Sequence, residues 1–250
     1  MTTLSGTDEQ PLGSGARDTT VVIHRALRQA ILRSDIAAGT FLSQVQLAKQ
    51  FGVSRGPVRE ALRLLQREGL IEAEVNQRAK VSQFSVEDLE QLYAARIVIE
   101  AIALRVSVLH FNAEDLSDLE RVLDELDELA GVDVERWETV HRHFHLALVA
   151  HSGERMIHMI EQFIDHGERY RRVYITQGPR SWTIGATEHH EIVQACVDRD
   201  SALASTLLAR HLARTALTVF MLVAPEHNPE LVRTALEQAT RQDPPQIPRP

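Results

Sequence analysis

One stretch, Ser43–Gly69 (SQVQLAKQFGVSRGPVREALRLLQREG), restricts the N-terminal part of this chain to one kind of local fold. Ser43 with Gln46 three residues on is a capping-box pattern, so a helix is expected to start there. Gly52 ends that helix, because a residue without Cβ takes the left-handed conformation a helix C-terminus needs. Ser54 is expected to cap a second helix, with Pro57 in its first turn, where no backbone donor is missed, and Val53 stapled against Val58. Arg55, Arg59, Arg63 and Arg67 recur every fourth residue as a basic ridge, while Ala61, Leu62, Leu64 and Leu65 supply apolar contacts on the other side. A short helix, a glycine turn and a second helix that opens on positive charge form the pattern of a helix-turn-helix that reads DNA.

The flanks complete that unit. From Thr20 to Arg33 apolar residues follow the helical period, predicting a supporting helix. DIAAGTFL turns around Gly39 and is expected to bring Phe41 and Leu42 back to the core. LIEAEVNQRAKVSQFS reads as two short strands bent at Asn76-Gln77, a wing whose Arg78 and Lys80 could reach the sugar-phosphate backbone or a minor groove. Arg55 and Arg59 lie one turn apart at the groove-entering end, where arginine grips guanine bidentately, and Ser54 with the free backbone N–H groups suits a phosphate.

Net charge at first contradicts a nucleic-acid partner, since the chain carries -8. The charge is unevenly divided: residues 20–80 hold ten Lys/Arg against five Asp/Glu, and residues 81–250 hold sixteen against twenty-seven. Only the N-terminal part has the electrostatics for phosphate, which argues for two domains with separate partners. The expected division is a flexible tail at 1–19, a winged helix-turn-helix at 20–84, an all-α domain at 85–241 and a Pro-rich tail at 242–250. Helical patterns are expected at about 85–109, 113–130, 134–151, 153–175, 184–198, 200–223 and 229–241, giving a mainly α fold overall. The single cysteine, Cys196, rules out an internal disulfide framework. With an N-terminus that lacks an apolar core and no run of transmembrane length, a cytoplasmic protein without membrane contact is expected.

Eleven of the twelve histidines fall in the second domain. His141 and His145 stand at i and i+4, so both imidazoles leave one helix face and can share a cation. His189 follows Glu188 near the start of a later helix, and His211 lies on the next. For His143, His151, His158, His166 and His227 a surface or hydrogen-bonded role is expected.

Residues 20–84 resemble the winged helix-turn-helix of the GntR family of bacterial transcription regulators. GVSRGPVREALRLLQREGLI is close to the family's most recognisable stretch, and AILRSDIAAGTFLS matches the segment before it. The resemblance implies Ser54, Arg55, Gly56, Pro57 and Arg59 as base and phosphate contacts. Val45 stands where many members carry a polar or charged DNA contact, and Arg78 replaces the usual wing-tip glycine.

Residues 86–223 resemble the FCD ligand-binding domain of the FadR-like branch, an all-helical bundle. Many such domains hold a divalent metal through an Asp-x-x-x-His pair and two later histidines. VHRHFHLALVAHSG places His145 at that histidine and His141 at the aspartate. TEHHEIVQAC selects His189 over His190, and LARHLART supplies His211. Four nitrogen ligands suit Zn²⁺ or Ni²⁺ better than Mg²⁺ or Ca²⁺; a three-histidine site with His141 behind it is the alternative. Arg96, in LYAARIVIE, matches an arginine that faces the ligand cavity and would hold a carboxylate effector, the alternative being an ion pair with Glu100. Arg169, Arg171 and Arg172 add positive charge on a neighbouring helix.

Together these readings predict a homodimeric transcription regulator, a repressor rather than an enzyme. It would bind pseudo-palindromic double-stranded operator DNA and respond to a small carboxylate beside a divalent metal. The alternatives are a metal-sensing repressor and a metal-dependent hydrolase with Glu188 or Glu191 as base, although no H-E-x-x-H signature is present.

Overall fold

The computed structural model describes residues 16–32, 35–72, 79–83, 85–175 and 179–241. The chain divides into two compact units, Met1–Phe84 and Ser85–Pro250.

In the first unit, helix α1 (Ala16–Leu32) is followed by strand β1 (Phe41–Leu42), helices α2 (Gln44–Gln50) and α3 (Arg55–Arg67), and strands β2 (Ile71–Glu72) and β3 (Ala79–Val81). The Ser43 side chain accepts from the Gln46 N–H, and Gly52 follows α2 at φ 65°, so both helix-ending devices operate as expected. Ser54 has the extended backbone of an N-cap, yet its hydroxyl makes no cap hydrogen bond. The wing strands belong to a three-stranded antiparallel sheet in the order β1-β3-β2, with Leu42 opposite Ala79 and Ile71 opposite Val81. Leu42 joins a core of Ile23, Leu27, Leu47, Val58, Ala61 and Leu65, whereas Phe41 is 60% exposed. The expectation that both would turn inward fails because neighbouring residues of a strand point to opposite faces. Glu68 receives Arg28 Nε at 2.9 Å and contacts His24, which fastens α1 to the end of α3.

Among the described residues the second unit has seven helices: α4 (Val86–Val108), α5 (Ala113–Leu129), α6 (Val134–Leu148), α7 (Glu154–Ile175), α8 (Pro179–Val197), α9 (Ser201–Val223) and α10 (Glu230–Thr240). Four of them start on side-chain caps, Ser85, Asn112, Asp133 and Asp200, each satisfying N–H groups that a helix start leaves unpaired. α8 begins five residues before the expected position, with Pro179 in first place, where a missing N–H costs nothing. α4 packs along α9 and α10, α7 packs on α6, α8 and α9, and α8 packs on α9, all around one apolar core. By length and composition α9 could cross a membrane, contrary to the expectation that no run would qualify. Half of its most apolar stretch is buried among the other helices, as befits the core helix of a bundle.

Candidate functional site: a helix-turn-helix face and a buried histidine cluster

Two places carry the residues singled out in the sequence. On α3, Arg55, Gly56 and Arg59 are exposed and Pro57 is half-buried. The basic ridge divides into two parts. Arg63 and Arg67 reach Glu60, at 3.5 and 3.8 Å, whereas Arg55 and Arg59 make no ion pair among the described residues. The start of the helix is therefore its most available positive charge, next to the uncommitted Ser54 hydroxyl. Lys80 lies on β3, half-buried; Arg78 and the Asn76-Gln77 bend lie outside the described residues.

The second place is inside the bundle. α6 sends His141 and His145 inward from successive turns, α8 supplies His189 and α9 supplies His211, all four buried. One ligand nitrogen of each lies within 4.8 Å of those of the others. His141 Nε2 and His145 Nε2 stand 3.2 Å apart. Two ligands about 2.1 Å from one tetrahedral ion stand roughly 3.4 Å apart, so that spacing fits a shared cation. Buried polar atoms are normally paired, yet His141 Nδ1, His145 Nδ1 and His189 Nε2 make no hydrogen bond.

Carboxylates stand behind the imidazoles. His211 Nδ1 donates to Glu188 Oε2 at 2.7 Å, which leaves Nε2 with its lone pair for the cluster. Arg214 also donates to Glu188. Burial alone would raise the Glu188 pKa, but His211 and Arg214 hold it down at about 2. His145 Nδ1 faces Glu100 Oε2 at 3.5 Å, too long for a good hydrogen bond. Burial opposes ionisation of Glu100 as well, and Arg96 and His145 bring it to about 2.

Arg96 is 1% exposed and its Nε donates to Glu100 Oε1 at 2.6 Å. Of the two roles weighed for it, the ion pair is the one formed. Arg96 is also absent from the lining of the cavity beside the histidines, where the cation is Arg171. Reach explains the difference: Glu100 lies one turn from Arg96 on the same helix and captures the guanidinium first. Gly167 permits this packing, since a Cβ there would come within 2.9 Å of Arg96 Nη1.

The cavity, about 30 Å³, has room for one or two waters and is bordered by His141, His189, His211, Arg171, Trp137 and Trp182. Trp137 stacks on His141 with ring centres 4.4 Å apart and meets Trp182 edge-on at 4.9 Å. Sequence reasoning assigned no role to either tryptophan. Arg171 was noted in the sequence but could not be oriented. It stands 3.0 Å (Nε) from Glu138 Oε2 on α6, and 33 residues separate the partners. The histidines left out of the cluster are engaged elsewhere, for example His151 with Asp115 at 2.9 Å and His227 with Glu90 at 2.7 Å.

Burial lowers the pKa of all four cluster histidines, that of His145 to about 4. They are neutral in the folded chain at pH 7, whereas unfolded histidines take up protons near pH 6.5. The stability they confer is present above about pH 6.5 and is lost as the pH falls toward the folded values. Glu100 and Glu188 contribute nothing to that fall above about pH 4.5, because their pKa values are shifted downward from there. A chelator-treated sample should therefore lose roughly 1 kcal/mol per deeply shifted histidine between pH 7.5 and 5.5. Urea midpoints at the two pH values measure this, and equal midpoints would contradict the burial of neutral imidazoles.

Both places lie in regions that match known families. Residues 19–81 match the family described as bacterial regulatory proteins, gntR family, and residues 91–214 match the FCD domain. The HTH-type transcriptional regulator BphR of Paraburkholderia xenovorans is 32% identical over 195 residues, covering 74% of this chain and 79% of that protein. The transcriptional repressor GlaR of Escherichia coli is 29% identical over 199 residues, covering 76% and 90%. In fold, the chain is similar to E. coli McbR/YncC, with a TM-score of 0.68 at 23% identity over 82% of this chain and 98% of that one. These families and relatives are transcription regulators and not enzymes. The chain thus belongs to the GntR family of bacterial transcription regulators, with a gntR-type DNA-binding head and an FCD domain.

Proposed function

We propose that this protein is a homodimeric, cytoplasmic repressor that releases a pseudo-palindromic operator when a small carboxylate binds in its FCD domain beside a divalent metal. The observation that carries the reading is the convergence of four buried imidazoles on one point next to a cavity that also holds a buried arginine. The donor set fits a metal: neutral nitrogens, two of them 3.2 Å apart, and a buried His189 Nε2 that otherwise has no partner. His141, His145, His189 and His211 would hold the ion, and nitrogen donors favour Zn²⁺ or Ni²⁺. Such an ion supplies a concentrated positive charge that draws an anionic ligand group.

The chain's own residues do the rest. Glu188 fixes the His211 tautomer, the Arg96–Glu100 pair backs His145, and Arg171 offers a donor at the cavity floor. In the head, Arg55 and Arg59 read base edges, Ser54, Gly56 and Pro57 let the helix start approach the backbone, and Lys80 with Arg78 adds wing contacts. Two heads related by a two-fold axis require a two-fold operator. A metal-sensing repressor is the second reading, favoured by the fourth histidine, which could close a tetrahedral shell without any effector. A hydrolase is disfavoured because Glu188, one of the two candidate bases, is held by His211 and Arg214, and Glu191, the other, is exposed while the cluster histidines are buried.

Elemental analysis of the purified protein tests the centre. About one equivalent of a transition metal per chain is expected, falling at least tenfold in His145→Ala while helical circular dichroism persists. Metal-free protein in both preparations would sink the centre.

A further inference from the structure

We propose that the effector is a monocarboxylate with an apolar tail, gripped by Arg171, and not a sugar acid or a dicarboxylate. This deepens the effector reading above and rests on it. Arg171 borders the cavity and is 4% exposed; its Nε and Nη2 serve Glu138, and its buried Nη1 has no hydrogen-bond partner. A buried guanidinium N–H without an acceptor is costly, and a carboxylate oxygen is the acceptor that matches it best. Glu138 already offsets the arginine charge, so Arg171 offers a ligand one unpaired N–H and no spare positive charge for a second anionic group.

The walls decide the tail. Beyond the floor the cavity is bordered by Leu126, Ala130, Trp137, Trp182 and Ala186, among which only the two indole N–H groups can bond a ligand hydroxyl. Of the three hydroxyls that line it, two are committed, Tyr174 to the Ser181 carbonyl at 2.9 Å and Thr215 to the His211 carbonyl at 3.0 Å, which leaves Ser181 alone to meet a ligand hydroxyl. A polyhydroxylated acid, with a hydroxyl on nearly every carbon, would surrender more hydrogen bonds to water than these few groups replace. A second carboxylate at the outer end would meet Asp127, whose Oδ2 is paired with His190 at 2.7 Å. Planar or extended apolar carbon, by contrast, suits a wall made of two indoles, a leucine and two alanines.

Entry runs past Trp182. With Asp127, Ala130 and Ala186, it borders both the inner cavity and a surface groove of about 690 Å³. The inner space holds only one or two waters, so a ligand gains room by displacing the half-buried Trp182 indole toward that groove. The indole rests on Gly131 (φ 72°), where a Cβ would stand 3.6 Å from its Nε1.

Both tryptophans of the chain border this cavity, so intrinsic fluorescence reads its occupancy directly. The test titrates the purified full-length protein with benzoate, phenylacetate and hexanoate, and separately with gluconate and succinate. At least one monocarboxylate should give a saturable fluorescence change with an affinity tenfold or more above that for gluconate or succinate. Arg171→Gln should weaken it at least tenfold. Should that variant fold poorly, Ala186→Leu, a half-buried wall position, should cut affinity for the same ligand at least tenfold with melting behaviour retained. Tighter binding of gluconate or succinate, with release of operator, overturns the ligand class and leaves effector control standing. No response to any of the five acids overturns the inference; with metal content and operator binding intact, it also turns the effector reading toward metal sensing.

Discussion

Arg55→Ala/Arg59→Ala is expected to lose operator affinity by two to three orders of magnitude while melting at the wild-type temperature. Each bidentate arginine–guanine contact contributes about 1–3 kcal/mol of discrimination, and the proposed reading gives this helix start two of them. Both side chains are exposed and, among the described residues, unpaired, so their removal takes nothing from the fold. Arg63→Ala is the control: its guanidinium is already drawn to Glu60, and a loss of less than tenfold is expected. Anisotropy titrations on an operator selected from random sequence, repeated across salt concentrations, separate the roles. Loss of a phosphate contact lowers the salt slope by about 0.9, whereas loss of a base contact leaves the slope and flattens sequence preference. Unchanged affinity in the double variant would remove α3 from the DNA.

The largest effect on stability should come from Glu100→Ala. Arg96 is 1% exposed and Glu100 fully buried, so the substitution strands a guanidinium away from water. Leaving one buried charge unpaired costs about 3–5 kcal/mol. For a domain of this size that lowers the melting temperature by on the order of 10 °C. Arg96→Met/Glu100→Leu should recover most of the loss, because replacing both charges by apolar groups of similar volume leaves nothing stranded. Glu100→Ala should also weaken metal retention about tenfold or more, since the carboxylate stands behind His145. A melting temperature within 2 °C of wild type would mean that water reaches Arg96 in solution.

Elements whose ends are written locally were legible in the sequence. Ser43, Ser85, Asn112, Asp133 and Asp200 each cap the helix they precede, and the expected boundaries of α2, α4, α5 and α9 lie within a residue or two of those found. The start of α8 was missed because Pro179 reads first as a breaker and only secondarily as a first-turn residue. β1, two residues long, is too short for alternation to register, and Phe41 was misplaced with it. Within the candidate site, His141 and His145 are visible at helical spacing, and family resemblance was needed to choose His189 over its neighbour His190. The structure buries the first and leaves the second beside Asp127 at the surface. Arg171 and Glu138 lie on different helices, and no local pattern pairs them. The tryptophans at 137 and 182 meet only because α6 and α8 converge.

The packing of α4 against α9 and α10 has a consequence for synthesis on the ribosome. The first helix of the second unit finds its main partners about a hundred residues later, so its apolar flanks stay uncovered until the chain is nearly complete. Such late, long-range closure raises contact order and slows folding. It also makes the last helices obligatory. A chain cut before α9 would leave the apolar side of α4 without cover, and is expected to aggregate rather than persist as a shortened domain.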